Sequence, residues 1–213
     1  LRRVALKHRI PMPPFAPITL TTALESAPGP FLAEAAPCPD DLALAGKPAA
    51  EAGLAAASAV NKAVEMALAG IVQAVVTAPL SKEALHLAGI PYPGHTEMIA
   101  AQCKASRPVM MMVGGGLRVA LVTTHTPMAA LPQRVTRRAV YGTILVTHND
   151  LRIRFGVRRP RIAVCGLNPH AGEAGLFGKE EGAAIAPAVR AARARGLRCQ
   201  GPFPADTLFT PQR

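Results

Sequence analysis

Tryptophan is absent from the 213 residues, tyrosine occurs twice and phenylalanine six times, so aromatic residues make up only 4% of the chain. Surfaces that stack nucleic-acid bases need such rings. Their scarcity argues against a nucleic-acid partner even though 24 Lys and Arg outnumber 13 Asp and Glu, giving a formal charge of +11. The basic residues are scattered, with local clusters at Arg137-Arg138, Arg158-Arg159 and between Arg190 and Arg198, and they read as solvated helix faces. No apolar run reaches the roughly 18 residues of a membrane span. The basic start "LRRVALKHRI" lacks the apolar segment and cleavage pattern of a signal peptide. Cysteine is sparse: Cys38, Cys103, Cys165 and Cys199 are widely spaced with no C-x-x-C pair, which excludes a disulfide framework and points to reduced thiols in the cytoplasm. Also missing are a G-x-G-x-x-G turn after a strand, a P-loop, a G-x-S-x-G elbow and an H-E-x-x-H helix.

What is present is ample for a core. Half the residues are hydrophobic and the mean hydropathy is +0.23, while 21 prolines and 18 glycines punctuate the chain into short elements. Residues 11–48 are broken by proline and predict extended segments and loops. From 49 to 69, Leu54, Ala57, Val60, Val64 and Leu68 recur at helical spacing, with Gly70 placed to end the helix. "IVQAVVT", residues 71–77, is a β-branched run that predicts a buried parallel strand. Further helices are expected over 81–87, 96–104, 136–155 and 179–195, and strands over 109–113, 118–124 and "RIAVCGL". The alternation predicts an α/β fold with a largely parallel sheet, and the turn Gly114-Gly115-Gly116 hints at one antiparallel pair.

Histidines then fall in informative places. His125 directly follows the strand ending "VTT", His170 follows the one ending "CGL", and His95 sits in the loop "PGHTE". Ligands of open α/β sheets bind beyond the carboxyl ends of the strands, so His125 and His170 are candidates to converge on a divalent metal with an open coordination position. Either one alone reads as a hydrogen-bonded loop residue; two at strand ends shift the balance. His8, His86 and His148 read as structural or solvated. Thr96 can cap the following helix or meet an anion at its positive end. Lys82 either binds a phosphate or carboxylate or is a solvated helix lysine. Glu180 and Glu181 satisfy a helix macrodipole without further function, and Asp206 either caps a helix or faces the site. The residues themselves lead to a metal-assisted α/β enzyme of a small, anionic substrate.

Four stretches extend this. "VTAPLSKEALHLAGIPYPGHTEMIA", "ALVTTHTPMAALP", "GLNPHAGEAGLFGKEE" and "GPFPADTLF" resemble, in order, the signatures of the 4-hydroxythreonine-4-phosphate dehydrogenase (PdxA) family. The resemblance spans roughly residues 49–209. It implies a fold like that of isocitrate and isopropylmalate dehydrogenases, with two α/β subdomains about a cleft, and a homodimer in the complete protein. It implies oxidation of 4-phosphooxy-L-threonine at C3 by NAD or NADP with a divalent cation (zinc, magnesium or cobalt), then decarboxylation, in pyridoxal phosphate biosynthesis. By motif match His125 and His170 are metal ligands, and His95, Thr96 and Lys82 bind the phosphorylated hydroxy-acid substrate. A dehydrogenase of phosphorylated threonate or erythronate, or of a diol, is the competing expectation, with an inactive remnant beyond it. The family's opening glycine- and proline-containing motif, its third metal histidine and a lysine, asparagine and arginine of its substrate site find no match here. Residues 1–213 are therefore expected to form a single dehydrogenase region, incomplete at both ends.

Overall fold

The computed structural model describes residues 9–12, 16–18, 31–33, 35 and 46–210. His8, Cys38 and most of the loops expected between 11 and 48 lie outside these. Within that stretch two short strands, β1 (Ala16–Ile18) and β2 (Phe31–Ala33), pair in parallel. The chain divides into two compact units, Leu1–Ser106 and Arg107–Arg213.

In the first unit the dominant element is α1 (Ala50–Leu68), followed by α2 (Lys82–Leu87) and α3 (His95–Gln102). The expected apolar stripe is right in its middle and wrong at its ends. Ala57, Val60 and Val64 are buried and pack with Leu85 of α2 and Met98 of α3, whereas Leu54 and Leu68 are 50% and 62% exposed. Gly53 takes the inner position instead of Leu54, because a Cβ there would run into the carbonyl of Ala84 on α2. The two helices meet backbone to backbone. Ser81 caps α2, its hydroxyl accepting from the Ala84 N–H at 3.1 Å. Helix α3 is capped by Gly94 without a side-chain hydrogen bond, which corrects the expectation that Thr96 caps it; Thr96 is the second residue of the helix.

Residues 71–77 form no strand, and Val76 is 96% exposed. Their β-branched pattern suits a buried strand, but such a strand exists only where neighbours supply the ladder, and none among the described residues lies beside it. The same limit shortens the strand expected over 118–124 to β4 (Leu117–Ala120). Accordingly, among the described residues the strands form three separate pairs, two parallel and one antiparallel, where the alternation predicted one largely parallel sheet.

The second unit opens with the hairpin of β3 (Met111–Gly114) and β4, Gly114 opposite Leu117. Gly115 and Gly116, at φ 54° and 82°, supply the two positive-φ positions that a tight two-residue hairpin turn requires. The short α4 (Leu131–Arg134) leads to α5 (Arg137–Ile153), capped by Thr136, whose hydroxyl accepts from the Ala139 N–H. Strand β5 (Arg161–Cys165) pairs in parallel with β6 (Arg198–Phe203), and between them lie a π-helical turn, Glu181–Ile185, and α6 (Ala186–Ala194). A final turn of helix, α7 (Ala205–Leu208), follows. Val140 and Ile144 of α5, Ile185, Ala188, Val189 and Ala192, and Cys199 of β6 form the core. Burial pushes the Cys199 thiol up to about 11, against the pull of the Arg193 charge, so it is an inert core group at neutral pH. Strand β6 escapes sequence reading because Gly201-Pro202 inside it signals a turn.

The close approach at Gly53 makes a direct prediction. Gly53→Ala gains about 1 kcal/mol of helix propensity, yet overpacking against Ala84 costs about 1–3 kcal/mol. Net destabilisation is expected, seen as a lowered Tm in thermal unfolding followed by circular dichroism.

Candidate active site

The end of β5 is held by one carboxylate. Glu181 Oε1 accepts hydrogen bonds from the backbone N–H groups of Leu167 at 2.7 Å and Asn168 at 2.8 Å, and its Oε2 accepts from Asn168 Nδ2 at 3.0 Å. Asn168 Nδ2 also donates to Glu180 Oε2 at 2.8 Å. Glu181 is 6% exposed. The reading that Glu181 only satisfies the helix macrodipole is therefore corrected: it faces inward and closes the turn that carries the "GLNPH" motif. A signal for this existed, since 181, 184, 185, 188 and 192 share one helical face and all but the first are apolar.

Beyond Asn168 the segment Pro169–Gly175 turns with the wrong hand. His170, Ala171, Gly172, Glu173 and Ala174 all lie in the left-handed region, at φ 52°, 55°, 81°, 42° and 55°. Left-handed helical backbone costs an L-residue about 1–2 kcal/mol, or roughly 4–8 kcal/mol over the run's non-glycine members. Gly172 is where the run passes closest to its anchor: a Cβ on it would come within 2.6 Å of Glu181 Oε2. The outcome is an exposed His170 whose Nδ1 lies 3.2 Å from Asp206 Oδ2 at the start of α7. Of the two options for Asp206, the structure shows it facing His170. The imidazole also meets the Phe177 ring at a centroid distance of 6.3 Å.

His125 occupies the loop after β4, again at φ 52°. It lines an open cavity of about 420 Å³ together with Thr123, Thr124, Thr126 and Arg134. That cavity does not include His170 among its lining residues, and among the described residues no three His, Cys, Asp or Glu side chains come together as a metal cluster.

In the first unit, Lys82 lies beside Gly94, the residue that caps α3 and precedes His95. The Lys82 Cε lies 4.0 Å, and Glu97 Oε2 3.7 Å, from where a Cβ on Gly94 would stand. His95 is the first residue of the helix and half-buried, Thr96 the second and exposed, and Lys82 is exposed. Free N–H groups, the helix dipole and an ammonium group thus share one small region, softened by the neighbouring Glu97.

These elements define an α/β protein with an imidazole–carboxylate pair on a strained strand-end turn and a helix start flanked by Lys82 and Glu97. Comparison with known proteins gives the family. The family model described as "Pyridoxal phosphate biosynthetic protein PdxA" matches residues 18–213. The chain is 48% identical over 179 residues to 4-hydroxythreonine-4-phosphate dehydrogenase of Acidithiobacillus ferrooxidans, a match covering 84% of this chain and 52% of that protein. Among solved structures, the 4-hydroxythreonine-4-phosphate dehydrogenase of Klebsiella pneumoniae matches with a TM-score of 0.84 at 39% identity, covering 98% of this chain and 63% of that one. The enzyme of that name from Burkholderia phymatum matches with a TM-score of 0.77 at 42% identity, covering 92% and 60%. The chain belongs to the PdxA family. It spans about half the length of the curated relatives it matches.

Electrostatics adds a pH dependence. Burial opposes charge on Glu181, but the donors of Asn168 and Leu167 outweigh it and hold the carboxyl below its ordinary 4.5. Asn168 likewise lowers Glu180. A depressed folded-state value contributes stability that is full above the unfolded value and is lost as pH falls through the folded one. Stability measured by denaturant unfolding is therefore expected to fall as pH drops below about 4.5, and Glu181→Gln is expected to flatten that acid limb relative to the native chain.

Proposed function

We propose that the chain carries the metal-holding and phosphate-holding residues of an NAD- or NADP-dependent 4-hydroxythreonine-4-phosphate dehydrogenase of pyridoxal phosphate biosynthesis. The observation that carries this reading is the backbone of the two motif histidines, both in loops that follow strands. His125 and His170 both adopt φ 52°, a conformation that non-glycine residues avoid and that concentrates at functional sites. The family relationship then supplies the substrate, because the relatives are named for it.

His170 has the donor chemistry for a divalent ion, while His125 lines a cavity that His170 does not reach. With Asp206 against Nδ1 of His170, the Nε2 lone pair is directed elsewhere, the arrangement in which a carboxylate fixes the tautomer of a metal-binding imidazole. Two neutral imidazoles suit zinc or cobalt better than magnesium, which takes oxygen ligands. His125 and His170 would hold the ion. When bound, it supplies positive charge for the oxygen at C3, and the nicotinamide accepts hydride from that carbon.

The chain's own residues do the rest. Lys82, His95 and Thr96 at the start of α3 bind the phosphate, the ammonium and helix N–H groups matching its charge and the imidazole and hydroxyl donating to its oxygens. Asp206 keeps His170 in one tautomer and orientation. Oxidation at C3 removes a hydride and the hydroxyl proton. The carboxylate of the resulting β-keto acid then leaves as carbon dioxide, its bonding pair passing to the ketone oxygen, and protonation of the enolate gives 3-amino-2-oxopropyl phosphate. We assign the active assembly as a homodimer in the cytoplasm. Among the described residues no helix is long and apolar enough to cross a membrane.

The test is nicotinamide reduction with 4-phosphooxy-L-threonine and divalent metal, in a chain carried to the relatives' length. His125→Ala and His170→Ala are expected to lower kcat/KM by at least about 10²–10³-fold, the scale of losing charge stabilisation at a developing anion. Lys82→Ala is expected to raise KM about 10–100-fold, with a smaller change in kcat, as loss of one charge-assisted phosphate contact would. Undiminished activity in both histidine variants would overturn the metal assignment, and a preference for phosphorylated threonate or erythronate would move the chain to that substrate.

A further inference from the structure

We propose that Glu181, acting through Asn168, is a positioning residue for His170: it holds the strand-end turn in the one arrangement that presents the imidazole for metal binding. The inference rests on the proposed function in taking His170 as a ligand, and beyond that on contacts that are independent of it. Glu181 is not one of the family motif histidines, and it is buried while His170 is exposed. It acts at a distance along the backbone.

The geometry shows why a carboxylate is required. Residues 167 and 168 leave β5 with their N–H groups pointing at Glu181 rather than at a sheet partner, and one oxygen satisfies both. The second oxygen takes the amide of Asn168, so the side chain and backbone of the residue two before His170 are fixed by one anion. Immediately after it the chain enters the left-handed run His170–Ala174, which L-residues disfavour. At its midpoint the absence of a Cβ at Gly172 admits the carboxylate. The next carboxylate, Glu180, accepts from the same Asn168 amide, and the π-helical turn begins at Glu181 itself. An extra residue in a helical turn rotates side chains relative to a regular helix, and such bulges concentrate at functional sites. Every one of these features converges on residues 166–172. A carboxylate whose only task were to satisfy the dipole of its own helix would need none of them.

Glutamine at 181 is the discriminating substitution. Its carbonyl oxygen can still accept from the Leu167 and Asn168 N–H groups, so the fold survives, but its NH₂ meets the NH₂ of Asn168, donor against donor. Reversing the pair requires changing Glu180 as well, since it accepts from the same amide: Asn168→Asp with Glu180→Gln and Glu181→Gln restores a donor–acceptor match at both contacts. In the 213-residue chain, titration with Zn²⁺ followed by calorimetry is expected to show affinity reduced on the order of 10–100-fold in Glu181→Gln, the range for residues that orient a ligand without binding the metal. Partial recovery is expected in the reversed pair. Amide hydrogen exchange in the metal-free protein is expected to rise across residues 167–175 in Glu181→Gln while the α5–α6 core stays protected, a readout independent of metal.

The outcomes separate. If His170→Ala binds Zn²⁺ as tightly as the native chain, the metal reading falls, and with it the metal-directed part of the proposal. If His170→Ala loses affinity while Glu181→Gln keeps both native affinity and native exchange, the metal reading stands and Glu181 is overturned as a positioning residue. Affinity lost equally in Glu181→Gln and the reversed pair, with exchange raised throughout the unit, would reduce Glu181 to a general stabiliser and overturn the proposal as well.

Discussion

The buried carboxylate of Glu181 is the constraint from which the second unit's chemistry follows. Burying an anion is costly unless it is hydrogen-bonded, and here the cost is met by donors that would themselves be orphaned without it: two backbone N–H groups at the end of β5 and the amide of Asn168. Each side of the arrangement needs the other. The arrangement lies between the hydrophobic core, to which Ile185 and Ala188 of the following helical turns contribute, and the solvent-exposed imidazole, so packing energy gained inside is transmitted to a turn that has little packing of its own. The strain of a left-handed run of several L-residues is comparable to a sizeable part of a domain's net stability of about 5–15 kcal/mol. It persists because the turn is held at its entry.

The two units use different electrostatic means. At the start of α3, Lys82 and the positive end of the helix dipole stand beside Glu97, so the cationic groups there are partly balanced by a carboxylate. At the end of β5 the anions belong to the protein: Glu180, Glu181 and Asp206 surround a turn that presents an imidazole, a natural partner for a cation. The total charge of +11 describes neither.

How much of this was legible beforehand varies with the physics involved. Helices α1, α2, α3, α5 and α6 were readable because hydrophobic periodicity and caps such as Ser81 and Thr136 are local. The glycine hairpin was readable for the same reason. Strands were less so: residues 71–77 have the composition of a strand and no ladder, while β6 has a ladder and, with Gly201-Pro202, not the composition. Pairing is a property of two segments and cannot be seen in one. The motif match picked out His95, Thr96, Lys82, His125 and His170, and the structure places Lys82 beside the start of α3, and His170 beside Asp206. Glu181 was passed over because a glutamate in a first helical turn has a sufficient local explanation. Only its position on the apolar face distinguishes it.

The five-residue run from His170 to Ala174 has one further consequence, which concerns chirality itself. Over those residues the backbone follows the path that a chain of D-amino acids would take by preference. Placing D-alanine at positions 171 and 174 by chemical synthesis would make the turn comfortable where the natural residues make it tense. The histidine would then keep its aim without help from the carboxylate behind it. In the natural chain the turn is anchored instead through Glu181, on the helical face that carries Ile185 and Ala188 into the core.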